Sequence, residues 1–326
     1  MLPTLLLALL RRGGQGTIVI GAAALVTFTL IHLAPGDPFG EMANDPRVPP
    51  AVRAQLRHDF ALDAPLPTQF AKWTWSVARG RFGYSHSHKR DVSAAIADAV
   101  PNTLLLMTVA LTLSFAFGVG IALAQMWRPG SWIDRVLGTT TLVTWALPDF
   151  WLALVLLLAF SFWLPWFPAG GMVDVTHDDL RLWSRVWDRL VHLVLPAGTL
   201  ALLTAAQIAR HQRLAIARAN AEGFVRTAIA KGATPARALL HHAWRAALLP
   251  VITQFGIALP GLLGGAVFVE SIFSWPGMGS LAIGAIGARD YPLVMACVLI
   301  GAVLVQLGSV LADLLHQLAD PRLRRA

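Results

Sequence analysis

The chain has 326 residues, of which 56% are hydrophobic and only 13% charged. A soluble domain carries nearer a quarter of charged residues, so a water-soluble globule is excluded and an integral membrane protein is implied. The formal net charge of +8 would suit nucleic acid, but the basic residues fall mostly between apolar segments, where orientation signals sit, so nucleic acid is set aside and membrane lipid is expected.

Residues 1–12 are an apolar start ending in Arg11-Arg12, and 17–34 form an uncharged run long enough to span a bilayer. With five more apolar segments after it, this run reads as an uncleaved anchor with a cytoplasmic N-terminus rather than a signal peptide. Residues 35–100 are polar and mixed, with helical patterning at 52–60 and 68–77 and breaks at Pro49-Pro50 and Pro65 to Pro67. A loop of this length crosses regardless of its charge, so it is placed outside as a small lid.

The second span is expected at 102–127, followed by a short loop holding Arg128 and Arg135, hence cytoplasmic. The third, 136–167, is interrupted by Pro148-Asp149, which implies a kink or unwound turn lining protein or water. An outer loop and the fourth span, 190–209 with His192 and Pro196, lead to a basic loop at 210–248 with seven Lys and Arg, which assigns it to the inside. The fifth span, 249–273, holds Pro250, Gly256, Pro260, Gly261, Gly264 and Gly265, too many breakers for a straight lipid-facing rod; small residues permit close approach and breaks create cavities. A tight turn, Ser274 to Gly279, and a short re-entrant helix through Ile286 precede the sixth span, 291–318. The fold class expected is therefore an all-α polytopic membrane protein with six transmembrane helices and both termini cytoplasmic. Its parts are 1–34 (N-terminal segment and first span), 35–100 (lid) and 101–326 (core, including the loop 210–248).

Within that loop, residues 222–250 carry Arg226, Lys231, Arg237, Arg245, His241 and His242 against one acid, Glu222. Apolar or small residues recur at helical spacing, Gly232 breaks the run, and Thr234-Pro235 reads as a cap followed by proline at the first helical position. Two short amphipathic helices meeting at a glycine turn are expected. A connection this long needs a reason, and docking of a partner protein explains it better than a solvated basic face or an anionic-lipid contact.

The motifs of enzyme chemistry are missing from the sequence: no glycine is followed by lysine, so there is no phosphate-binding P-loop, and no GxSxG, HExxH or paired CxxC occurs. No cofactor, catalytic residue or metal site is expected. Cys297 is the one cysteine, so an intramolecular disulfide is excluded. His86-x-His88 lacks the further ligands a metal needs. Polar groups in apolar segments are functional candidates. Glu270 sits at the outer end of the fifth span, and Asp313 and His316 near the inner end of the sixth, too far apart for a proton relay; Gln254 and Gln306 line a pathway or join helices.

Two stretches, Arg226-Thr227-Ala228-Ile229-Ala230-Lys231-Gly232 and His242-Ala243-Trp244-Arg245 through Pro250-Val251-Ile252-Thr253, resemble the cytoplasmic EAA loop of ABC-importer permeases. The chain is most similar to the B-type subunit of the dipeptide/oligopeptide/nickel family. Further matches are Leu33-Ala34-Pro35-Gly36-Asp37-Pro38, Leu62-Asp63-Ala64-Pro65-Leu66, Gly80-Arg81-Phe82-Gly83-Tyr84-Ser85, Pro148-Asp149-Phe150-Trp151, Glu270 through Gly279, Arg289-Asp290-Tyr291-Pro292 and Asp320-Pro321-Arg322. The resemblance implies a type I importer permease of the bacterial inner membrane, translocating peptides or, alternatively, nickel or another small solute. The competing reading from another class is a proton-coupled secondary transporter, which would need membrane-embedded acids near the midplane. It also implies a second homologous permease subunit (C-type), two ABC ATPase subunits that hydrolyse ATP, and an extracytoplasmic substrate-binding protein. Coupling to the ATPase would fall to Phe224, Val225, Arg226, Thr227, Ala228, Lys231 and Gly232, and the pathway or gate to Gln254, Pro260, Gly264, Gly265, Glu270 and Gln306. Departures are Arg226-Thr227-Ala228 in place of the acidic and small residues of the generic EAA signature, Trp244-Arg245 where its Leu-Pro falls, and Arg81 where the family commonly has an acid.

Overall fold

Lipid offers the backbone no hydrogen-bond partners, so an apolar run must satisfy itself as a helix, and the chain obeys this. The computed structural model describes residues 2–33, 50–51, 64–248, 251, 254–255, 258 and 266–319. Helix α1 is Leu2–Leu33 and α2 is Leu66–Ala78. A ribbon follows, β1 (Tyr84–Ser85) antiparallel to β2 (Arg90–Asp91), with Ser85 opposite Arg90. Then come α3 (Val92–Trp127), α4 (Trp132–Ala146) and α5 (Asp149–Leu157), the last prolonged by a π-helical turn, Leu158–Trp163. Helix α6 is Leu182–Ala221 and α7 is Gly223–Ala230, with a return arm from Pro235 to Ala246; α8 is Met278–Gly287 and α9 is Tyr291–Ala319.

Four stretches among the described residues are long and apolar enough to cross a membrane: Gly13–Leu33, Val92–Trp127, Leu182–Ala221 and Tyr291–Leu315. The α4–α5 pair makes a fifth if counted as one, although it is bent by 108°. The expected fifth span, 249–273, lies mostly outside the described residues, as do the expected helix 52–60 and the tail 320–326. The break at Pro148-Asp149 is present but far sharper than a kink. Leu147 (ψ 139°) and Pro148 (ψ 141°) are both extended, because proline forces the residue before it out of the helical region.

Helices α3 and α6 are longer than the spans read from hydropathy. At 36 residues, α3 is ~54 Å long against a hydrocarbon layer of ~30 Å. It begins at Val92, before Pro101 rather than after it, because Val92, Ala95, Ile96 and Ala99 pack on Met278, Ala285, Leu293 and Ala296.

By contacts the chain divides into two units, Met1–Leu104 with Pro276–Leu307, and Leu105–Trp275 with Gly308–Ala326. In the first, Ala24, Phe28 and Ile31 of α1 meet Trp73 of α2 and Met295 and Leu299 of α9. Thr103 Oγ1 accepts from the Met278 amide at 2.7 Å, and Asn102 Nδ2 donates to Pro276 O at 2.8 Å, fastening α8 to α3. The ribbon grips the start of α9. Ser85 Oγ and Ser87 Oγ each donate to the buried Asp290 Oδ2 at 2.6 Å, the Ser87 amide donates to the same oxygen at 3.1 Å, and His86 Nε2 lies 3.0 Å from Ala288 O.

In the second unit, Leu106, Met107 and Ala110 of α3, Ala153 of α5, Leu193 to Leu200 of α6, and Ala266, Val269, Phe273 and Trp275 share one core. A Cβ at Gly118 would stand 2.7 Å from Ile208 and 3.0 Å from the Ala205 carbonyl, so α3 and α6 touch backbone to side chain there. Gly118→Leu is therefore expected to destabilise this unit by ~1–3 kcal/mol through overpacking. Thermal unfolding in detergent checks it; an unchanged midpoint would remove the close approach.

The 164–181 loop is pinned to α6 by Asp188, whose carboxylate lies 2.6 Å from His177 Nδ1 and 3.1 Å from His192 Nδ1. Beside it, hydrogen bonds from the Thr176 amide and hydroxyl hold the Asp174 carboxyl below the usual carboxylate range. The contribution of that turn is present above the ordinary carboxylate pKa and is lost as pH falls through the lowered value.

Candidate functional site

The sharpest local design in the chain is the hairpin that leaves α6. A single extended residue, Glu222 (φ −72°, ψ 152°), turns the chain from α6 into α7. Helix α7 is only eight residues long, too short to be stable alone, so something must hold it. Val225 does: it is fully buried among Ala122 of α3, Ile216 and Ala219 of α6, and Ala238, Leu239, Ala243 and Ala247 of the return arm.

The end of α7 is closed by Gly232 at φ +93°. The Gly232 amide donates to Ile229 O at 2.9 Å and the Ala233 amide to Ala228 O at 3.0 Å, the paired bonds of a Schellman cap. Thr234 then caps the return arm, its hydroxyl accepting from the Arg237 amide at 3.3 Å, with Pro235 at the first helical position. Gln212 Nε2, buried on α6, donates to Ala247 O at 3.1 Å and ties the far end of the arm down. Further along, Asp134 caps the turn before α4 by accepting from the Gly130 amide at 2.9 Å and pairs with Arg213 at 3.1 Å.

Held in this way, the hairpin shows one face outward. Phe224 and Ile229 are 47% and 48% exposed, and Arg226, Thr227, Lys231 and Gly232 are exposed too, with Ala228 half-buried. A hollow of about 380 Å³ opens between α7 and the return arm, lined by Phe224, Thr227, Ala228, Lys231, Arg237 and His242 among others. An apolar Phe224 with two fixed cations suits a protein surface that offers an acidic group beside an apolar pocket. Six of the seven sequence-derived coupling residues therefore share this exposed surface. Val225 faces the other way, as the anchor.

Pro260, Gly264 and Gly265 lie outside the described residues. Gln254 is half-buried near Phe255, whose ring stands 5.6 Å from Phe115, and Glu270 is fully buried beside the fold-back that brings the Trp275 amide to Glu270 O. Gln306 belongs to the other unit and packs on α1, where a Cβ at Gly16 would come within 2.6 Å of it. Sequence reasoning missed the Asp290 brace and the Asp134–Arg213 pair, whose partners are distant in the chain. Among the described residues no group of His, Cys, Asp and Glu is arranged to hold a metal.

Apolar spans, a broken helix pair and a clamped, outward-facing hairpin define a multi-pass membrane subunit of the ABC-transporter fold. In keeping with this, 69% of the chain superposes on 96% of a chain of the MetNI methionine ABC transporter with TM-score 0.54 at 18% identity. The chain belongs to the family of binding-protein-dependent transport system inner membrane components, whose model matches residues 114–325, and the family's N-terminal model matches residues 5–107. Among its relatives, the oligopeptide transport system permease protein AppB of Bacillus subtilis is 37% identical over 97% of this chain and 98% of its own length. The di/tripeptide transport system permease protein DppB of Pseudomonas aeruginosa is 37% identical over 92% and 93% respectively.

Proposed function

We propose that this chain is the permease subunit of an ATP-driven importer of di- and oligopeptides, and that α7 with its Gly232 turn seats it on an ATPase subunit. One observation carries the coupling role: a helix too short to stand alone is fixed by Val225, Gly232 and Thr234 so that Phe224, Arg226, Thr227, Ala228 and Lys231 face outward. The peptide substrate is supported by the names of the relatives at 37% identity. The seven Lys and Arg of 210–248 support a cytoplasmic hairpin. The working assembly is this chain, a homologous C-type permease subunit, two ATPase subunits and an extracytoplasmic binding protein. ATP binding draws the ATPase subunits together, α7 moves as a rigid piece with the cleft it occupies, and the permease bundles rock so that access alternates, with the segment around Gln254, Pro260, Gly264, Gly265 and Glu270 as the gate.

A cysteine placed at Ala228 and a second scanned along the ATPase surface test the seat. A disulfide that forms in the assembled transporter, rises with nucleotide state and stops uptake until it is reduced is the expected result. Failure of every ATPase position to link while peptide uptake persists would overturn the assignment.

A further inference from the structure

We infer that the hollow between α7 and the return arm lodges an acidic side chain, aspartate or glutamate, of the ATPase subunit. The inference rests on the reading of α7 as the seat for that subunit, and it adds a second insertion in the opposite direction. The return arm is shaped for it. From Ala238 to Ala243 the arm is a π-helical turn, bonded i to i+5 rather than i to i+4. In an α-helix a residue five places on stands ~140° round the axis; the wider π turn brings it back toward the same face. Burial follows that phase. Ala238 and Ala243 are both buried in the cluster that holds Val225, and Arg237 and His242, also five apart, both line the hollow. An α-helical arm that kept Ala238 inward would carry His242 away from Arg237. Turns of this kind recur at functional sites.

What the hollow offers is positive. Lys231, Arg237 and His242 stand around it, with Phe224 and Ala228 as an apolar wall. Lysine and arginine bring only N–H donors, and nothing within the hairpin answers them. The last carbonyls of α7 are already taken by the amides of Lys231, Gly232 and Ala233 in the cap. Glu222, the one acid of residues 222–250, sits nine positions before Lys231, ~13 Å away along the helix. Among the described residues no carboxylate lies within ion-pair distance of Lys231 or Arg237. Cations gathered beside an apolar wall suit an acceptor on a short carbon stem, which is what an acidic side chain is.

A lipid phosphate would match the charge, but the length of α6 sets it aside. The uncharged stretch of α6 ends at Ala209, where a spanning helix leaves the hydrocarbon, and the helix runs on to Ala221. Those twelve residues are ~18 Å long, and ~14 Å of that remains along the membrane normal even at a tilt of ~40°. The headgroup layer is only ~5–8 Å deep on each side, so the hairpin stands beyond it. A protein reaches it there. Phe224 and Ile229 are exposed on the same short helix, and a partner that covers them brings its own side chains to the mouth of the hollow.

The test uses the full chain in its assembled transporter, reconstituted in liposomes, and reads peptide uptake and the stimulation of ATPase activity by loaded binding protein. Arg237→Glu should lower both at least about tenfold. Each aspartate and glutamate on the ATPase surface is then changed to arginine, one at a time. One of these changes should do similar damage alone, yet return the Arg237→Glu transporter to within about threefold of the parent, because the pair re-forms with its signs exchanged. A purely structural role for Arg237 would gain nothing from a charge on another subunit. Should Arg237→Glu fail to assemble, Arg237→Gln takes its place: its loss and that of neutralising the ATPase acid should then not multiply when the two are combined. Normal coupling in Arg237→Glu, or damage that no ATPase position offsets, would overturn the inference. So would a defect that follows the phosphatidylglycerol content of the liposomes, which would make a lipid headgroup the occupant. The Ala228 crosslink keeps the two readings apart. A link to the ATPase without a rescuing acid leaves the seat and removes the lodged carboxylate, whereas no link at all removes both.

Discussion

Gly232→Pro is expected to abolish peptide uptake while leaving the chain folded, inserted and bound to its partner subunits. The backbone at this position has φ +93°, and proline is locked near −65°. Proline also removes the amide that donates to Ile229 O, and the displaced chain breaks the neighbouring bond from Ala233 to Ala228. Both bonds of the cap are lost. Space is not the issue, since a Cβ at Gly232 would meet nothing within 4 Å. The conformation alone sets the penalty, and that fixes a ranking. Asparagine, which tolerates the left-handed region, should be nearly silent; alanine should cost ~1–2 kcal/mol; proline should be worst. The membrane core does not depend on this turn, because Val225 and the α3–α6 contacts lie on its other side. What fails is transmission: ATPase activity should no longer rise with loaded binding protein, and uptake should fall at least about tenfold, a loss of ~1.4 kcal/mol in coupling. Measuring ATPase stimulation and uptake on the same proteoliposomes separates this from misfolding. Normal import by the proline variant would remove α7 as the coupling element.

This turn is also the part of the site that the sequence alone makes legible, and the reason is physical. A glycine closing one helix and Thr-Pro opening the next are local chemistry, settled within four or five residues. Helix identity in the apolar runs is legible for the same kind of reason, because lipid leaves the backbone no alternative. What cannot be read locally depends on packing. Val225 looks like its neighbours in the amphipathic pattern, yet it is buried because the return arm folds over it. Val92 to Ala99 are helical before Pro101 because α8 and α9 cover them. Gln306 reads equally well as pathway or packing, and its contact with Gly16 of α1 is not legible in the sequence. His86-x-His88 alternates with the serines that hold a carboxylate more than two hundred residues away, a partnership no local pattern shows.

That carboxylate gives the second large effect. Asp290 is fully buried, and a buried charge survives only when its lone pairs are answered. Here Ser85 Oγ, Ser87 Oγ and the Ser87 amide all donate to Oδ2, while Oδ1 faces the Leu293 amide at 3.4 Å in the first turn of α9. The ribbon and the helix therefore share one acceptor. Asp290→Ala leaves three donors facing a void and is expected to cost ~3–5 kcal/mol. Asp290→Asn keeps the shape but turns a donor toward donors and should cost nearly as much. Ser85→Ala removes one charge-assisted bond, ~1.5–3 kcal/mol, together with the acceptor of the His88 amide at 3.1 Å. The decisive measurement is a double-mutant cycle on the unfolding free energy in detergent. Once Asp290 is alanine, removing the Ser85 hydroxyl should cost clearly less than in the parent, because the carboxylate is gone and the bond from the His88 amide at 3.1 Å is what is left to lose. Hydrogen exchange should show the amides of residues 84–91 and the first turn of α9 opening together in Asp290→Ala. If the serine and aspartate penalties simply add, or if the ribbon opens while α9 stays protected, the brace is not what joins them.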